Sequence, residues 1–143
     1  MAKALKWLAT LMGIACAVIG AVHFLFGVDS VPGLAGAGAT TDSRERFYGA
    51  IVLGYGLAWL WVARQSPILS PLVRWLAGIF LLGGIGRVVS LLIHGQPQWF
   101  QVVLTVVELG LPPVFFWLAT ADEKARTPIT GTDHPRRISR TGV

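Results

Sequence analysis

Charged residues punctuate the chain and leave four apolar stretches, at 7–27, 47–63, 72–93 and 99–119. A helix rises about 1.5 Å per residue, so each stretch is long enough, or nearly so, to cross a ~30 Å hydrocarbon core. The second is the shortest. It gains a polar first turn over 43–46, with Asp42 as N-cap and Glu45 three residues on. The pattern predicts an all-α, integral membrane fold, an antiparallel bundle of four transmembrane helices at about 7–27, 43–63, 72–93 and 99–119. Short loops after the second and third helices favour antiparallel neighbours. Residues 1–120 then form one transmembrane domain. Residues 121–143 are polar and broken by Pro128, Gly131 and Pro135, and are expected to form a disordered cytoplasmic tail.

Small residues mark expected lines of helix approach: Gly13, Ala17 and Ala21 in the first span, Ala50 and Gly54 in the second, Gly86 and Ser90 in the third. Gly83-Gly84-Ile85-Gly86 lies inside an apolar span with no strand before it, so packing is expected there and not a phosphate loop. Pro112 and Pro113 are expected to kink the fourth span. The first apolar run exceeds the ~7–15 residues of a signal-peptide core, so it reads as a retained helix.

Composition narrows the class. Charged residues make up 13% of the 143 positions, about half the ~25% of soluble domains. Hydrophobic residues make up 54% before the 17 glycines are counted, and the mean hydropathy is +0.64. A chain this small cannot hide that much apolar surface in its own core. An ordinary soluble domain and a disordered chain are excluded. The lone cysteine, Cys16, rules out an intrachain disulfide and a Cys-based zinc site.

The net charge of +5 reflects topology and not nucleic acid, because the positive residues lie in tails and loops beside apolar spans. Four spans put both termini and the middle loop on one side. That side holds Lys3, Lys6, Arg64, Arg74, Lys124, Arg126, Arg136, Arg137 and Arg140, whereas the other holds Arg44 and Arg46. The bias places both termini in the cytoplasm and the protein in a bacterial inner membrane, with 28–46 and 94–98 facing outward. The 28–46 loop is Gly/Ala-rich and long enough to cover the outer mouth of the bundle.

Two ionisable groups lie well inside spans. Arg87 sits about 9 Å from the outer end of the third span and Glu108 about 13 Å from that of the fourth. Each costs roughly 2.5–3.5 kcal/mol at mid-membrane, so a pairing between them is expected. Polar neighbours share their faces. Gln101, Thr105, Glu108 and Pro112 form one helical stripe, as do Gly83, Arg87, Ser90 and His94, and Cys16, Gly20, His23 and Gly27. The second span offers Tyr48, Tyr55 and Trp59, with Glu45 and Arg46 at its outer end. Inward-facing stripes of this kind line a polar pocket in the outer half.

A plainer reading stands beside each. Arg87 with Glu108 reads equally as a clasp fixing helix register, His23 as a hydrogen-bonded packing residue, and Ser90 and Thr105 as donors to backbone carbonyls. Tyr48, Tyr55 and the tryptophans near span ends fit packing or an interfacial belt. No catalytic residue, metal ligand set or cofactor is predicted. The three histidines lie at unrelated depths, and no nucleophile, zinc or phosphate-loop motif is present.

Several of these residues fall in recognisable segments: Glu45-Arg46-Phe47-Tyr48-Gly49-Ala50-Ile51 with Gly54-Tyr55-Gly56, Gly84-Ile85-Gly86-Arg87-Val88-Val89-Ser90, His94-Gly95-Gln96-Pro97, and Glu108-Leu109 with Pro112. Over about 7–119 the chain resembles a bacterial family of small four-helix membrane proteins that carries a domain-of-unknown-function label and is grouped with DoxX-like proteins. The resemblance implies a four-helix fold and implicates Arg46, Arg87, Ser90 and Glu108. It supplies no reaction, substrate or cofactor. DoxX-like relatives are linked to redox complexes and to assembly of other membrane proteins, which is analogy at the level of fold.

The leading expectation is a non-enzymatic accessory or binding protein. It holds a lipid-like or amphiphilic ligand, or a partner helix, in the outer-half pocket. Arg87 and Glu108 anchor a polar head there, Ser90, Thr105, Gln101 and His23 add hydrogen bonds, Tyr48 and Tyr55 line the wall, and Arg46 guards the mouth. Expected partners are membrane lipids, an amphiphile, and a membrane-protein partner or second copy, with no nucleic acid. One alternative is a membrane enzyme using Glu108 as acid/base on an apolar substrate. Another is a purely structural subunit of a larger membrane complex.

Overall fold

Four long helices follow one another along the chain: α1 (Ala2–Phe26), α2 (Ala39–Arg64), α3 (Ser70–His94) and α4 (Trp99–Arg126). A 3₁₀ turn at Gly27–Ser30 follows α1. These elements come from a computed structural model that describes residues 2–34 and 36–126. Among the described residues there is no strand. All four helices are long and apolar enough to cross a membrane.

Local chemistry sets the ends. Gly27, at φ +56°, and Gly95, at φ +83°, take backbone conformations that L side chains rarely adopt, and they stop α1 and α3. Pro71 stands in the first turn of α3, where its missing N–H costs nothing.

Three boundaries differ from those expected. α1 begins at Ala2, ahead of position 7, because the polar Lys3 and Lys6 continue the helical register. α2 begins at Ala39, with Gly38 at the N-cap position and no side-chain cap. Asp42 is therefore not the N-cap. It lies inside the helix and points back to the 3₁₀ turn, accepting the Val28 N–H at 3.2 Å. α4 runs through 121–126 of the expected tail, because those residues find partners on α3, in the α2–α3 loop and within α4 itself. Arg74 Nη2 donates to Glu123 at 2.6 Å, Arg126 pairs with Asp122, and Arg126 Nη1 reaches the Ile68 carbonyl at 3.2 Å. The remainder of the tail, 127–143, lies outside the described residues.

The helices pack as two pairs, α1 with α2 and α3 with α4. In the first pair, Gly13 meets Leu60, Ala17 meets Gly56, Gly20 meets Leu53 and Phe24 meets Gly49. Backbones nearly touch. A methyl at Gly56 would lie 2.3 Å from the Ala17 nitrogen, and one at Gly20 2.2 Å from the Leu53 nitrogen. Small residues thus carry this contact, as expected of apolar helices, but only some of the positions expected. Gly54 and Gly86 meet nothing within 4 Å of where a side chain would start, and Ala50 and Ser90 are exposed. In the second pair the close approach is Gly84 against Glu108 and Leu109.

The two pairs join mainly at the end that holds the α1 start and the α2–α3 loop. Leu5, Trp59, Ile68, Val73 and Phe115 are fully buried there. Trp59 and Phe115 have ring centroids 4.4 Å apart. Tyr55 stacks on Phe80 and donates its hydroxyl to the Leu76 carbonyl at 2.5 Å. α4 continues as helix through Pro112 and Pro113, with Pro112 buried in this core. At the opposite end the pairs part.

Candidate functional site

Where the pairs part, Arg87 of α3 faces the first half of α4. Its Nε donates to Glu108 Oε2 at 2.8 Å, and its Nη1 donates to the side-chain oxygen of Gln101. Gln101, Thr105 and Glu108 share one face of α4 because they sit at i, i+4 and i+7. Thr105 Oγ1 donates to the Gln101 backbone carbonyl at 2.8 Å, so its hydroxyl is spent within the helix. The Glu108 side chain is 12% exposed and that of Arg87 36%. Glycines make this geometry available. Gly83 leaves space beside the carboxylate, and Gly84 lets α4 approach close enough for Glu108 to nest.

Two cavities meet at Arg87. The first, of about 630 Å³, lies among α1, α2, α4 and the 30–34 segment. Ile19, Val52, Phe100 and Leu104 make it largely apolar, and His23 and Tyr48 add polar atoms. The second, of about 690 Å³, lies among the first turns of α2, the end of α3 and the start of α4. Arg44, Ser90 and Thr105 line it. Glu45, Arg87 and Gln101 line both, so they form the partition between two adjoining spaces. Both volumes fall within the ~300–1,000 Å³ range of small-molecule sites.

The structure thus brings together Arg87, Glu108, Gln101, Thr105, Ser90, His23 and Tyr48. It sets Arg46 and Tyr55 apart. Arg46 bonds Asp42 at 2.7 Å and the Phe24 and Leu25 carbonyls at 3.1 and 2.7 Å. It ties off the C-terminal end of α1, where a cation complements the helix dipole, and lines neither cavity. Tyr55 belongs to the aromatic core. Asp42, outside the apolar 47–63 stretch, is held below the usual carboxylate range, first by the Arg46 hydrogen bond and then by the Val28 N–H.

Two groups exceed the expected site. Glu45 faces His23 across α1 and α2, Oε2 to Nδ1 at 3.7 Å, and stands in the partition. Its spacing carried the signal, since it lies one turn before Gly49, the α1 contact, and so shares that face. Arg44 lines the second cavity. Among the described residues, no group of three His, Cys, Asp or Glu side chains is placed to hold a metal ion.

Chemically, the partition offers fixed hydrogen-bond donors and charge between two largely apolar spaces, the second richer in polar groups. Arg87 Nη2 is committed to no described residue. Neither the curated proteins nor the solved structures compared with this chain give a match. A family model does match, and it shows the family without showing a grouping with DoxX-like proteins. Matched over residues 4–119, the chain belongs to the family described as domain of unknown function DUF4345.

Proposed function

We propose that this is a bacterial inner-membrane protein, an antiparallel four-helix bundle with both termini cytoplasmic, that holds an amphiphilic molecule in its outer half. The positive-inside distribution of Lys and Arg supports the orientation. The descending order of α1–α2 contacts, 13 with 60 through 24 with 49, supports the antiparallel arrangement. The observation that carries the binding role is the junction at Arg87 of two largely apolar cavities, the second of which adds the Arg44 guanidinium and the Ser90 and Thr105 hydroxyl groups. The role is non-enzymatic. The Glu108 carboxylate is held by Arg87 Nε and lines neither cavity, so it is not placed to act on a bound molecule.

Native mass spectrometry of the protein, extracted from its own membrane in mild detergent, tests this. A stoichiometric small molecule is expected on the wild type and lost from a folded Arg87→Ala variant. An unliganded wild-type particle, or retention by Arg87→Ala, removes the proposal.

The Arg87–Glu108 ion pair favours one second reading, a register clasp within a larger membrane complex. A charge swap, Arg87→Glu with Glu108→Arg, separates the two. A clasp restores assembly and stability at least in part, whereas a binding site does not regain its ligand.

A further inference from the structure

The two cavities differ in what they present. The walls of the first are mostly hydrocarbon. The second also has apolar walls, from Leu91, Pro97, Val102 and Val106, but carries the Arg44 and Arg87 guanidiniums together with the Ser90 hydroxyl and the Gln101 amide. Glu108 accepts from Arg87 Nε through Oε2 and lines neither cavity. Glu45, the one carboxylate in the partition, has His23 beside it on the side of the first cavity. Among the described residues, Arg44 makes no hydrogen bond or ion pair, and Arg87 keeps Nη2 uncommitted. The second cavity therefore has two guanidiniums and one carboxylate on its walls, with donors left over.

Resting on the amphiphile reading above, we propose that the ligand is anionic. Its phosphate or carboxylate head lies in the second cavity between Arg44 and Arg87, and its hydrocarbon chain passes the Glu45–Arg87–Gln101 partition into the first. Planar guanidinium forks match both kinds of oxyanion, and Arg is favoured over Lys at such sites for that reason. A cationic head would meet both guanidiniums at the shortest range. A neutral head would leave Arg44 unused. The apolar cavity makes a free anion a weaker ligand than one that carries a chain, because burial of each methylene contributes about 0.8 kcal/mol.

The test uses the full chain in maltoside micelles. Dodecyl phosphate, dodecanoate, dodecyltrimethylammonium and inorganic phosphate are titrated against it by native mass spectrometry. Dodecyl phosphate or dodecanoate is expected to bind one to one, with inorganic phosphate far weaker. Arg44→Gln is expected to weaken the anionic probe by about tenfold. Arg44 is exposed and unpartnered, so this variant keeps its fold. Equal binding of the ammonium probe, or an unchanged affinity in Arg44→Gln, overturns the anionic head while leaving an amphiphile site standing. Inorganic phosphate binding as tightly as dodecyl phosphate overturns the placement of the chain. Failure of every chain-bearing probe on a protein freed of its native ligand removes the amphiphile reading itself.

Discussion

Asp42 carries a pH dependence that its position in sequence disguised. Its carboxylate joins the Val28 N–H to the Arg46 guanidinium and so fastens the 3₁₀ turn onto α2. A carboxyl whose pKa is lower in the folded state binds protons more readily when released. The latch therefore contributes in full above the ordinary Asp value of about 3.9 and is lost as pH falls through the depressed folded value. Hydrogen exchange at the Val28 amide, corrected for its intrinsic rate, is expected to show protection at neutral pH that is lost only once the pH has fallen below the ordinary Asp value. Asp42→Asn should lack that protection already at pH 7. Protection that persists in the variant would take the latch away from Asp42. The same residue shows where sequence reasoning stops. Helix N-cap statistics pointed to Asp42, but the turn it caps lies fourteen positions earlier in the chain. Arg87 and Glu108 were legible because the hydrocarbon cost of an unpaired charge leaves little choice of partner. Arg46 and Tyr55 were not, since a periodic stripe gives a face but not the depth at which its neighbours close over it.

At the scale of the helix, glycine position decides tolerance. A methyl at Gly56 would lie 2.3 Å from the Ala17 nitrogen and 2.8 Å from its Cα, so two backbones must separate to admit it. Gly56→Ala is expected to destabilise by about 1–3 kcal/mol, the cost of overpacking a rigid contact. Gly54, two residues earlier, meets nothing within 4 Å. Gly54→Ala is expected to be neutral or to stabilise by up to about 1 kcal/mol, through helix propensity. Thermal unfolding of both variants in one detergent provides the comparison. Similar losses in the two would show that α1 and α2 do not meet along the face described. Four helices at these places were readable from apolar run length alone, because a run that long admits few alternatives. Which small residues face a partner was not, because Gly54 and Gly56 differ only in the direction they point around α2. Helix ends were also missed where charged side chains on α4 continue the helix by reaching α3.

The whole molecule is anchored at one end and open at the other. Trp59, Phe115 and their neighbours lock the two helical pairs together near the α1 start, and the cavities lie where that packing is absent. Unfilled apolar space costs stability, because its lining side chains lose contacts they would otherwise make. A ligand that fills it adds stability that grows with concentration, about 2.7 kcal/mol at one hundred times its Kd. A side chain that fills the same space should do both things at once, stabilising the empty protein and excluding the ligand. Leu104 lines the apolar cavity and is only half-buried, so Leu104→Trp can extend into it. The ligand-free variant is expected to gain about 0.5–2 kcal/mol, read as a higher midpoint of thermal unfolding in detergent. Added dodecyl phosphate should raise the midpoint of the wild type and leave that of the variant unmoved. A variant that is destabilised yet still responds to the probe would place the ligand elsewhere. A variant that is stabilised and still responds would show that the chain does not occupy the space beside Leu104.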